Sequence, residues 1–215
     1  MTDAGLGRSR ARGYPVNLVV AGRRCVMVGA GRVAARKIKG LLEAGARVHV
    51  VAPQLDDEVR ALVDAGAVTV DEREFQPSDL DGAWLVTTAT GVGEVDHAVF
   101  IAGEERGVWV NAADDPANCS FTLMSVVRRG DIVVTIGTNG RSPALATWLR
   151  DHVRTEMGPE YETLLELLAD ERESMRSGGR SSETADWRQA LDSGILDLIR
   201  AGRVPEAKEL LRACL

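Results

Sequence analysis

Apolar residues in this chain come in short runs separated by stretches of helical spacing. Arg24-Cys25-Val26-Met27-Val28 is a compact apolar run, and its length predicts a buried strand. It ends in Gly29-Ala30-Gly31-Arg32-Val33-Ala34. Residues 36–44 then place apolar side chains at helical intervals, and Gly45 closes that helix as a C-cap. Residues 46–51 read as a second strand. Strand, glycine turn, helix and strand within about 30 residues make a βαβ unit. The alternation continues with a helix over 55–66, a short strand at 68–70, a strand at 83–88, a helix over 94–106 and a strand at 108–111. Repeated units of this kind imply a parallel sheet covered by helices on both faces.

The pattern changes after residue 113. Residues 120–127 and 131–136 are strand-like runs separated by Arg128-Arg129-Gly130, which predicts a hairpin. Ser142 suits a helix N-cap and Pro143 the first helical position, so a helix runs from there to about Met157. Gly158-Pro159 breaks it. Helices over 160–176, 182–198 and 204–215 follow, with a flexible joint at 177–181. The expected organisation is a flexible start (1–13), an α/β domain (14–113), a small strand-rich region (114–157) and a helical subdomain (158–215).

Composition narrows the chemistry. Of 215 residues, 45% are hydrophobic and 27% charged, the balance of a soluble globular chain with a real core. No run reaches the roughly 18 apolar residues of a membrane helix. The net charge is −6, and the 12 acidic and 8 basic residues of 160–215 carry most of it. General nucleic-acid binding needs a basic face and is not expected. Cys25, Cys119 and Cys214 are too scattered for a disulfide framework or zinc ribbon. His49, His97 and His152 lack ligand spacing, so no metal site is expected. Arg8, Arg10 and Arg12 have no apolar stretch behind them, which points to a cytoplasmic protein.

Gly29-x-Gly31-x-x-Ala34 carries the chemistry most clearly. It follows a strand and opens a helix, as a dinucleotide fingerprint does. The first glycine permits the tight turn, the second lets a pyrophosphate approach the backbone, and the small third residue lets helix and strand pack closely. Free N–H groups and the positive dipole end of the helix then face the phosphates. The candidate cofactor contacts are Gly29, Ala30, Gly31, Arg32 and Val33, with Ala52, Pro53, Gln54, Thr88, Ala89, Thr90 and Asn111 at the carboxyl ends of the other strands. The usual acidic residue after the second strand is missing; that strand ends Val51-Ala52-Pro53-Gln54. Gln54 or backbone groups must meet the ribose instead, and the choice between NAD and NADP stays open.

Three stretches, taken together, carry a resemblance. They are Gly29 to Lys37, then Asn111-Ala112-Ala113-Asp114-Asp115-Pro116, then Thr138-Asn139-Gly140-Arg141-Ser142-Pro143. In order and spacing the chain resembles the precorrin-2 dehydrogenase and sirohydrochlorin ferrochelatase family, the N-terminal part of siroheme synthase. The resemblance runs from about Tyr14 to Arg154. It implies a Rossmann-type sheet, a central strand-rich dimerisation region and a helical C-terminal subdomain. It also implies a homodimer that oxidises precorrin-2 to sirohydrochlorin with NAD, and in some members inserts Fe²⁺.

The resemblance marks Asp114 as catalytic. Hydride loss from a macrocycle requires a proton to leave too, and a positioned carboxylate can take it. Asp115 is expected to be structural and Asn111 to contact the nicotinamide ribose. The family often carries Ser-Ser-Gly-Gly where this chain has Gly137-Thr138-Asn139-Gly140, so a hydroxyl survives at Thr138. Thr138, Asn139, Gly140, Arg141 and Ser142 are the candidate substrate contacts, with Arg141 the first choice for a substrate carboxylate and Arg128, Arg129 and Arg150 behind it. The net charge of −6 opposes a polyanionic substrate at long range. The rival reading is a non-catalytic NAD-binding sensor domain, although such regulatory domains usually keep the acidic residue after the second strand. A short-chain dehydrogenase would need a Tyr-x-x-x-Lys pair, which is absent.

Overall fold

The computed structural model describes residues 13–215, so the start at 1–12 lies outside the described residues. The chain divides into two compact units, one ending at Leu123 and one running from Met124 to Leu215.

The first unit is built on β1 (Arg24–Val28), β2 (Arg47–Val51), β3 (Thr69–Asp71), β4 (Leu85–Thr88) and β5 (Trp109–Ala112). They form one sheet in the order β3-β2-β1-β4-β5 with every pairing parallel. The connecting helices are α1 (Arg32–Glu43), α2 (Asp57–Asp64) and α3 (Gly93–Arg106). Alternation along β1 separates two cores. Cys25 and Met27 pack with Ala34, Ala35, Ile38, Val48, Val50 and Val59 on the face of α1 and α2. Val26 and Val28 pack with Val86, Val99, Ala102 and Val110 on the face of α3. Burial on both faces is why these strands read as continuous apolar runs.

The first unit extends beyond residue 113, where the hydrophobic pattern changes. The backbone N–H groups of Ser120 and Phe121 both donate to the carbonyl of Val110, which draws the segment after β5 back onto that strand. Residues 120–124 therefore do not enter the hairpin, whose first strand begins at Ser125.

In the second unit β6 (Ser125–Arg129) and β7 (Ile132–Ile136) form the antiparallel hairpin. Arg128 and Arg129 lie within β6 and not in the turn. The helices are α4 (Pro143–Glu156), α5 (Glu160–Ser177), α6 (Trp187–Asp192), α7 (Ile195–Arg200) and α8 (Val204–Cys214). The single helix expected over 182–198 is two short ones. Gly194, at φ +89°, breaks it between them, a backbone conformation that glycine takes without steric cost. Leu164, Leu167, Ala190, Ile195, Ile199, Ala207 and Leu211 make this unit's core. Among the described residues no helix is long and apolar enough to cross a membrane.

One buried charge is well secured. Asp79 is 6% exposed and accepts from Arg73 through both carboxylate oxygens, at 2.6 and 2.9 Å, and from the Gln76 N–H at 2.8 Å. Burial alone would raise the Asp79 carboxyl, but those hydrogen bonds and the Arg73 charge outweigh it and hold the group below its ordinary value. Its stabilisation is therefore present above the unfolded pKa, near 4, and is lost as pH falls through the lower folded value. Asp79→Ala should destabilise the first unit by about 2 kcal/mol at pH 7, read as a lower urea midpoint. The deficit should shrink on acidification; an unchanged midpoint at pH 7 would contradict the role given to this pair.

Candidate nucleotide site

The carboxyl ends of β1, β4 and β5 lie side by side, since Val28 registers with Thr88 and Thr88 with Ala112. The glycine turn after β1 and the turn after β5 are thus two strand spacings apart, roughly 10 Å. Ligands of open α/β sheets sit at such an edge, where successive crossovers leave in opposite directions.

The glycine turn fits a dinucleotide. Gly29 has φ +94°, and a Cβ there would come 2.6 Å from the carbonyl oxygen of Ala89. Gly31 is the N-cap of α1, and a Cβ there would meet nothing within 4 Å. The first glycine is thus required by the fold, whereas the space above the second is open for a phosphate. No side chain caps α1, and its first turn carries no acidic residue. The leading N–H groups of the helix, including those of Arg32 and Val33, have no intrahelical acceptor and point toward that space. Ala30 is buried, and its carbonyl accepts from the Asp56 N–H at 3.0 Å, fixing the turn against the β2–α2 connection.

At the end of β2, Ala52 is buried while Pro53 and Gln54 are exposed. Asp56 caps α2 by accepting from the Glu58 N–H. At the end of β4 the threonines serve the frame. Thr88 is fully buried and its hydroxyl donates to Asp96 in the first turn of α3. Thr90 donates to the same carboxylate oxygen at 2.8 Å and accepts from the Val92 N–H. Ala89 lies between them, with its N–H on the Val28 carbonyl.

Asn111 is 6% exposed and all its polar atoms are engaged. Its Oδ1 accepts from Lys37 Nζ at 2.6 Å, and its Nδ2 donates to the Phe121 carbonyl at 3.1 Å and faces Cys119 Sγ at 3.6 Å. These contacts brace the turn after β5 and leave one lone pair of Oδ1 unused by the fold, so a ribose hydroxyl can still donate to it. Asp114 stands in that turn, exposed, with φ +59°. A non-glycine residue in the left-handed region is uncommon, Asp and Asn adopting it more readily than most, and such positions cluster at functional sites. Asp115 accepts from the Ala117 N–H and Asn118 Nδ2, so it caps the short 3-10 turn at Pro116–Asn118.

Residues 138–142 belong to the second unit. Thr138 Oγ1 donates to the Ser142 carbonyl and accepts from the Ser142 N–H, closing the loop, and Ser142 Oγ caps α4 at the Leu145 N–H. Asn139 and Gly140 both have positive φ. The Thr138 hydroxyl thus both donates and accepts within the loop, the Ser142 hydroxyl is used only as an acceptor, and Arg141 is exposed and forms no ion pair among the described residues. Arg129 donates to the carbonyls of Met157 and Arg154 at the end of α4, and Arg150 pairs with Asp151. No cluster of three or more metal-ligating side chains occurs among the described residues.

The comparisons with known proteins agree with this geometry. Residues 16–125 match the protein family described as "Putative NAD(P)-binding". The chain belongs to that family. Siroheme synthase of Nitrosococcus oceani is 34% identical over 203 residues, covering 94% of this chain and 43% of that protein. Siroheme synthase of Photorhabdus laumondii is 33% identical, covering 92% and 42%. The chain therefore spans less than half the length of these curated relatives. Among solved structures, "SirC, precorrin-2 dehydrogenase" superposes with a TM-score of 0.74 at 25% identity, covering 94% of this chain and all of that one. The Rossmann-type sheet, small antiparallel sheet and C-terminal helices expected from the sequence match that fold.

Sequence reasoning assigned no role to Lys37, Asp96 or Cys119. Lys37 falls within the quoted glycine-turn stretch, but its partner Asn111 is 74 residues away. Asp96 had a local signal, an acidic residue in the first turn of a helix.

The two glycines separate fold from binding. Gly31→Val should leave the thermal midpoint within a few degrees of the parent while weakening NAD(P) affinity at least about tenfold, a loss of ~1.4 kcal/mol, by isothermal titration. Unchanged affinity would remove this turn as the phosphate cradle.

Proposed function

We propose that the chain is an NAD-dependent precorrin-2 dehydrogenase of siroheme biosynthesis, oxidising precorrin-2 to sirohydrochlorin. The observation that carries this reading is Asp114. It is an exposed carboxylate held at positive φ, two strand ends from an open glycine cradle in an NAD(P)-binding family member. The likeness to siroheme synthases and to a precorrin-2 dehydrogenase supports the substrate class.

In this reading Gly31 and the first N–H groups of α1 take the pyrophosphate, and Gln54 with neighbouring backbone takes the ribose. Bound NAD supplies the hydride acceptor. As a C–H bond of the macrocycle breaks and its electron pair leaves as hydride, a second hydrogen leaves as a proton. Asp114 accepts that proton at its carboxylate. The turn after β5, braced through Asn111 and Cys119, keeps the carboxylate in place without reorganisation. Arg141, with the 138–142 loop around it, is assigned to the substrate's carboxylates.

Two further parts belong to the same reading. Asp114 would also accept pyrrole protons if Fe²⁺ is inserted as a second substrate. The chain acts as a cytoplasmic homodimer: the hairpin has only two strands, and Val133, Leu145 and Trp148 are exposed at 44%, 47% and 62%. Unpaired strand edges and exposed apolar side chains favour pairing with a second copy.

Purified protein given enzymatically made precorrin-2 and NAD should form NADH, followed at 340 nm. Asp114→Asn should lower kcat by roughly 10²–10⁴-fold and keep NAD binding. Turnover at the parent rate in Asp114→Asn would remove the carboxylate from the chemistry, and no NADH from the parent protein would sink the assignment. Absorption spectra of sirohydrochlorin with Fe²⁺ test chelation separately. By sedimentation, Trp148→Glu should shift a dimer toward monomer; a parent protein that is already monomeric would overturn the dimer.

A further inference from the structure

Near the proposed site α1 carries a half-buried charged group. Lys37 lies on α1 between the buried residues Ala34 and Ile38, on a helix whose other basic residues face solvent. It is half-buried, a costly place for an ammonium group unless it is paired. Its Nζ donates to Asn111 Oδ1 at 2.6 Å.

We propose that Lys37 is a positioning residue for proton removal, its ammonium group tying Asn111 to α1 and thereby fixing the turn that carries Asp114. The inference rests on the reading of Asp114 given above. Its geometric support is a chain of contacts. Asn111 passes the restraint to the Phe121 carbonyl and to Cys119. Cys119 Sγ accepts from the Ala112 N–H at 3.2 Å and approaches the carbonyls of Ala112 and Asp115 at 3.3 and 3.2 Å. The two ends of the Asp114 turn, at Ala112 and Asp115, are thus fastened to one sulfur atom, and that assembly is fastened to α1 through Lys37. α1 also carries the glycine cradle, so Lys37 couples the position of the carboxylate to that of the nucleotide.

The charge of Lys37 matters as well as its reach. Burial lowers the Lys37 ammonium below its ordinary value; Cys119 and Asp114 act the other way, and Arg36 on the same helix adds to the lowering. The groups facing Lys37 are therefore Asp114 and Cys119 from the segment after β5 and Arg36 from α1, while Asp115 acts on Cys119. Loss of the Lys37 proton at alkaline pH weakens the charge-assisted bond to Asn111 and removes a positive charge that acts on Asp114. Activity should fall with it.

Two measurements test this. In nucleotide-free protein labelled at lysine, the NMR titration of Lys37 should move to lower pH in Asp114→Asn, because a neighbouring negative charge is gone; an unmoved titration overturns the coupling. In the precorrin-2 assay, Lys37→Met should lower kcat by up to about 100-fold, the scale of a small displacement of a catalytic group, with the KM for NAD within about twofold. Lys37→Arg should recover most of kcat and displace the alkaline limb of the pH profile upward, since a guanidinium stays charged. Full kcat in Lys37→Met, or an alkaline limb unmoved in Lys37→Arg, overturns the proposal. A parent protein that never oxidises precorrin-2 would instead defeat the function, while the titration result would stand by itself.

Discussion

A side chain at residue 29 would strike the carbonyl oxygen of Ala89 at 2.6 Å, and the backbone there has φ +94°, so the position admits glycine alone without strain. This close approach fixes the turn after β1 against the end of β4. It determines where α1 starts, which way its first N–H groups point, and how much open space remains above Gly31. The Ala30 carbonyl locks the same turn to the connection after β2. The cradle is therefore part of the packing of the sheet and not an appended loop. A nucleotide would find it already formed, with little ordering cost on binding.

The second half of the site depends on a different device. The turn after β5 holds Asp114 in a left-handed conformation, and such a turn must be overdetermined by its surroundings. Asn111, Cys119 and Lys37 supply that restraint with hydrogen bonds and little bulk. Charge is arranged in the same sense. The molecule is acidic overall, yet α1 offers the exposed Arg32 and Arg36 near the cradle with no acid in its first turn. Most of the excess negative charge belongs to residues 160–215. Local sign, not net charge, governs what an anion meets at the sheet edge.

The sheet was legible in the sequence because its strands are short, apolar and buried on both faces, and because the glycine spacing marks the first crossover. The proposed site was legible only where a residue's assigned role is local. Gly29, Gly31 and Asp114 declare themselves through turn chemistry and motif. Asn111 does not, since the partners that occupy it lie on α1 and at Phe121, and no local pattern connects residues 74 apart. Thr88 points inward because Asp96 awaits it one turn into α3, a pairing set by the strand-to-helix crossover. α1 begins at Arg32, earlier than the apolar spacing from residue 36, because a glycine N-cap carries no side-chain signal. In the tail, Gly194 ends a helix that apolar periodicity alone would continue.

The central claim is that one edge of the sheet seats the nucleotide between the turn after β1 and the turn carrying Asp114. Backbone amide NMR during an NAD titration tests it most directly. The account predicts that Gly31, Arg32 and Val33 shift together with Ala113 and Asp114, while Trp84 and Trp109 at the opposite ends of β4 and β5 stay unmoved. Perturbations confined to those tryptophans, or absent from the 113–114 turn at saturation, would contradict it.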